Sequence, residues 1–157
     1  MRMRKKHIVL PLLLLCAALC AACGGQKELP APAALYAEIL EGVSLPRMSE
    51  MPEDYLPDSL GIPPEKYEAA VCALPLDGLA PDELVIVRAK DGSAASEVER
   101  LLQAHLQARE ADAERYLPEN LTAIRSGAIL RKDTTVCLAV SAQAEQIRAV
   151  LEGYGFA

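Results

Sequence analysis

The side chains best suited to chemistry here are thiols and one imidazole. Cysteines stand at Cys16, Cys20, Cys23, Cys72 and Cys137, and histidines at His7 and His105. A thiol acts as a nucleophile or ligand in its thiolate form, favoured by a helix N-terminus, a cation or a metal. Cys72 and Cys137 instead fall inside the apolar runs 67–74 (YEAAVCAL) and 134–141 (TTVCLAVS), where thiols are buried and inert. His105 has no Cys or His within helical reach, whereas a zinc site takes three or four ligands. A Cys–His pair with an acid such as Asp112 is the nucleophilic reading, and strand-interior thiols argue against it. Asp77, Asp82 and Glu83 read as a solvated acidic turn, because their spacing does not match the alternating oxygen ligands of a calcium loop. Neither a Gly-rich phosphate loop nor a Ser elbow occurs. The expectation is therefore no catalytic residue, no metal ligand and no cofactor. The alternative is a thiol-dependent enzyme or redox protein using Cys72 and Cys137.

The other three cysteines belong to residues 1–25 (MRMRKKHIVLPLLLLCAALCAACGG). Arg2, Arg4, Lys5 and Lys6 make a basic start, and Ile8 to Ala22 is apolar but shorter than the ~20 residues of a bilayer span. The run ends Cys20-Ala21-Ala22-Cys23. This resembles the lipobox of bacterial lipoproteins, with Cys20 where such boxes usually carry Leu. Cys20 fits less well as the modified residue, because Leu19 would occupy a position that wants Gly or Ala. The resemblance implies cleavage between Ala22 and Cys23 and diacylglyceryl transfer to the Cys23 thiol. The mature chain would then be lipid-anchored on the extracytoplasmic face of the cell membrane. A plain signal peptide or an uncleaved anchor are the other readings. Export permits a disulfide between Cys72 and Cys137, although two separate buried thiols are the main expectation.

Residues 23–157 number 135, the size of one domain with one core. Losing Arg2, Arg4, Lys5 and Lys6 leaves 12 basic residues against 22 acids, so the formal charge moves from −6 to −10. Such a chain should be repelled by nucleic acid and anionic lipid alike, so its acyl chains must hold it at the membrane. One Phe and five Tyr with no Trp give little area for stacking on sugars or bases. The partners expected are membrane lipid through acylated Cys23 and an envelope protein or small ligand.

The elements that would position these groups follow from periodicity. Residues 1–22 read as signal, 23–33 as a flexible tether and 34–157 as a single α+β domain. A first helix covers 33–42, and a Pro-rich loop wraps the core over 43–64 with helical turns near 53–60. Strands are predicted at 67–74, 83–89, 128–132 and 134–141. The long helix over 94–117 has Ser93 as its N-cap, and Val98, Leu101, Leu102, Leu106, Ala113 and Tyr116 as its inner seam. On its outer faces Arg100–Glu97 and Arg109–Asp112 can pair at spacing three. A last helix spans 142–152. The fold expected is a four-stranded antiparallel sheet built from two strand-strand-helix units, both helices on one face, with the N-terminal helix and the loop able to cover the other. Leu102→Ala is expected to cost about 2–5 kcal/mol and His105→Ala well under half of that.

Residues 35–40 (LYAEIL), 55–62 (YLPDSLGI), 82–92 (DELVIVRAKDG), 116–120 (YLPEN) and 127–141 occur here in order over nearly all of 35–151. In these pieces the chain resembles a family of small lipoproteins from Gram-positive, largely clostridial-type bacteria, filed as a domain of unknown function. The resemblance implies anchoring and carries no activity, ligand or catalytic residue.

Overall fold

A computed structural model describes residues 28–157. The expected signal, the expected Ala22–Cys23 cleavage position, Cys23 as the expected lipidation residue and residues 23–27 of the expected tether lie outside the described residues. Helix α1 (Pro32–Gly42) comes first, and its proline sits in the first turn, where the missing N–H costs nothing. Strand β1 (Met48–Glu50) and helix α2 (Tyr55–Leu60) follow, and α2 stops at Gly61 with φ 66°. Strands β2 (Tyr67–Pro75) and β3 (Glu83–Ala89) precede α3 (Gly92–Tyr116) and the short α4 (Leu121–Arg125). Strands β4 (Ala128–Lys132) and β5 (Thr135–Val140) and helix α5 (Ala144–Glu152) complete the fold.

The sheet has five antiparallel strands in the order β1-β2-β3-β5-β4, one more than expected. The addition is β1, three residues between Pro46 and Pro52. It pairs Met48 with Pro75 and Glu50 with Ala73, an edge position that proline-rich flanks permit. The other edge is closed by the C-terminus: Arg131 and Ala157 exchange two backbone hydrogen bonds of 2.9 and 3.1 Å. Both edges are thus short or occupied, which blunts pairing with another chain.

Alternation along the strands gives the sheet two apolar faces. Leu84 and Ile86 of β3, with Val71, Cys137 and Leu130, form one core with Leu35 and Ile39 of α1 and Ile147 and Leu151 of α5. Val85 and Val87, with Cys72, Val136 and Leu138, form the second core with Val98 and Leu102 of α3, Leu56 of α2 and Ile124 of α4. The helices after β3 and β5 therefore lie on opposite faces, not on one, and neither face is open. A 25-residue helix is roughly 37 Å long, whereas five strands span roughly 20 Å. Together with α2 and α4, α3 fills its side, and α5 has to cover the other.

Local details shift with this packing. The N-cap of α3 is Asp91, whose Oδ1 accepts from the Ala94 N–H at 2.8 Å, rather than Ser93. Tyr116, expected in the inner seam, is 74% exposed, because α3 has by then run past the sheet edge. Its charged residues also pair elsewhere: Arg125 of α4 reaches Glu110 and Glu114 at 2.6 Å, and Arg109 turns inward. Gly127 admits no side chain, since a Cβ there would lie 2.8 Å from the Ile124 carbonyl.

Candidate functional site

The first residue of β3 carries the main polar cluster. Glu83 shares a face with Val85 and Val87, so its carboxylate points at α3, and it is 1% exposed. On α3, His105 and Arg109 stand one turn apart and converge on it. His105 Nε2 lies 2.9 and 3.0 Å from the two carboxylate oxygens, and Arg109 Nη1 donates to Oε2 at 2.6 Å. The second guanidinium nitrogen donates to the Pro81 carbonyl at 2.9 Å. Burial pushes the Glu83 pKa up, but the His105 hydrogen bond and the His105 and Arg109 charges outweigh it. The net result is a carboxyl held below its ordinary value.

Beside it, Asp82 accepts a hydrogen bond from the Ser141 hydroxyl at 2.6 Å, and the Gln143 N–H donates to that hydroxyl at 3.1 Å. The Asn120 amide donates to the Leu79 carbonyl at 2.8 Å. The loop between β2 and β3 is thereby fastened to α3, to the turn after α3 and to the end of β5. Asp82 and Glu83 are not a solvated turn, as expected from sequence, but 8% and 1% exposed. Two signals pointed to this: Glu83 opens an apolar strand in phase with its buried residues, and His105 and Arg109 have i, i+4 spacing.

The thiols do not join this arrangement as nucleophiles. Cys72 pairs across from Val85 and Cys137 across from Ile86, so they lie on opposite faces with β3 between them, both free. The disulfide that export would permit is therefore not formed. Burial pushes Cys72 up to about 12, with help from the Glu83 charge, and burial alone pushes Cys137 up to about 12. In native Cys23→Ser chain at neutral pH, a thiol reagent should label neither cysteine within minutes and both after denaturation. Fast labelling of Cys72 would mean that its surroundings are open.

Among the described residues, no group of three His, Cys, Asp or Glu is placed to hold a metal ion. A surface concavity along Ser96, Glu99, Arg100 and Gln103 lies on the outer side of α3 and involves none of the cluster. The arrangement can hold a charge inside the fold and fix a loop. Its carboxylate is buried, while the His105 and Arg109 side chains are 19% and 25% exposed.

The class defined by this fold and site is a small α+β domain, a five-stranded antiparallel sheet covered by helices on both faces, with an internal ionic cluster. The chain belongs to the family described as Domain of unknown function (DUF4358), whose model matches residues 41–141. That stretch includes Glu83, His105, Arg109, Asp82 and Ser141. No curated protein and no solved structure matches the chain.

Proposed function

We propose that this protein is a lipid-anchored domain on the extracytoplasmic face of a Gram-positive, clostridial-type cell membrane, and that it acts by binding rather than by catalysis. The observation that carries the anchoring is the run Leu19-Cys20-Ala21-Ala22-Cys23, which ends six residues before Leu29, a residue packed against the core. Among the described residues no helix is long and apolar enough to cross a membrane, so in this reading the acyl chains supply the attachment. The binding reading is supported by the chemistry of the interior. Glu83 has all its partners within the fold, and both thiols are held protonated. The same two facts weigh against a thiol-dependent enzyme or redox protein. An envelope protein or small ligand remains the partner proposed.

The Cys23→Ala variant tests the anchor. Metabolic labelling with a fatty-acid analogue should mark the natural chain and not the variant, which should accumulate as precursor or escape into the medium. Unchanged lipid label and membrane retention in the variant would remove the proposal.

A further inference from the structure

Carboxylates hold the loop between β2 and β3 at its middle and at its exit. Asp77 folds the loop on itself, its Oδ1 accepting the Leu79 N–H at 3.1 Å. Asp82 accepts from the Ser141 hydroxyl at 2.6 Å, which ties the loop to the end of β5. Glu83 holds Arg109 inward, and the other nitrogen of that guanidinium donates to the Pro81 carbonyl at 2.9 Å. Two further contacts are neutral. The Asn120 amide donates to the Leu79 carbonyl at 2.8 Å, and the Leu76 N–H donates to the Arg47 carbonyl at 2.8 Å. A neutral hydrogen bond at the surface is exchanged for water at little net cost, whereas bonds to a charged acceptor are roughly twice as strong.

Proton uptake acts on the charged fastenings and spares the rest of the fold. The groups facing Glu83 are His105 and Arg109 of α3, Tyr55 of α2 and Cys72 of β2. Around Asp82 stand the uncharged Ser141 and Gln143, and Asp77 is exposed in the turn. A neutral Glu83 keeps its shape but no longer attracts Arg109. That side chain is a quarter exposed and can turn to water, which leaves the Pro81 carbonyl without its donor. The two cores on either side of β3 are apolar clusters and lose nothing by the same step. A segment held by a few polar contacts opens at lower cost than the packed elements beneath it.

We propose that residues 77–82 form an acid-released strap: when Glu83 takes up a proton, the loop detaches from α3 while the sheet and both cores stay folded. Burial raises the Glu83 pKa and the His105 and Arg109 contacts more than offset it. The strap is therefore fully fastened above the ordinary carboxylate value of about 4.3 and lets go as pH falls through the lowered folded value. This behaviour does not depend on acylation of Cys23. The test titrates the full chain carrying Cys16→Ser, Cys20→Ser and Cys23→Ser, with Cys72 and Cys137 buried. A fluorophore is attached at Leu79→Cys in the loop or, as a control, at Gln103→Cys on the outer side of α3. On acidification the anisotropy of the label at 79 should fall by roughly half, roughly one pH unit before far-UV circular dichroism and the label at 103 change. Return to neutral pH should restore it. Glu83→Gln with native circular dichroism should show the low value at neutral pH already, and if that variant does not fold the titration decides alone. A label at 79 that moves only together with unfolding of the chain, or not at all, overturns the strap. A folded Glu83→Gln chain with the high neutral-pH value overturns it as well.

Discussion

Arg109→Ala is expected to destabilise the fold by about 3 kcal/mol at neutral pH, among the largest effects of any polar substitution in this chain. The guanidinium is only a quarter exposed, and removing it leaves a 1% exposed carboxylate with His105 as its main partner. The same change frees the Pro81 carbonyl, so the β2–β3 loop loses a fastening. The pH dependence has a definite sign. The folded pKa of Glu83 lies below its unfolded value, so its contribution is complete above the ordinary carboxylate range of about 4.3 and is lost as pH falls through the lowered folded value. Without Arg109 the folded value climbs, and acid unfolding should begin at higher pH than in the natural chain. Urea melts between neutral and acidic pH check both statements. A cost below about 0.5 kcal/mol with an unshifted acid limb would mean that the pair carries no stability. His105→Ala keeps the Arg109 pair and should cost about 2 kcal/mol, more than its place on the helix flank suggested from sequence alone.

Leu102→Ala is expected to cost about 2–5 kcal/mol, because Leu102 is fully buried where α3 crosses Val85 and Leu138. Leu151→Ala should cost a similar amount from the other side of the sheet, where it meets α1 and the face of Ile86. The revealing measurement is their independence. Leu102→Ala combined with the mild Ile147→Val should be additive within about 0.5 kcal/mol, since the two sites belong to separate cores. Strong coupling in urea melts would place both helices on one face and contradict the two-core arrangement.

Periodicity by itself determined much of this protein. The strands around Val71, Val85, Leu130 and Leu138, the long helix behind Asp91-Gly92 and the antiparallel hairpins all follow from local pattern and turn chemistry. The cysteines in mid-strand read as buried thiols for the same reason. The sequence also carries the lipobox-like run on which the proposed acylation of Cys23 rests. The tertiary structure decided what local pattern does not encode. Apolar residues on both sides of β3 require two covers, but which helix goes to which face depends on the space that α3 leaves. The three residues of β1 gain their strand conformation from pairing with β2, not from propensity. The Glu83 cluster joins residues 22 and 26 positions apart, and only the docking of α3 on β3 brings a carboxylate, an imidazole and a guanidinium within hydrogen-bond reach. Arg88 holds Leu29 and Pro30 across 59 and 58 positions in the same way, so the place of these two residues in the fold follows from tertiary contact and not from their composition.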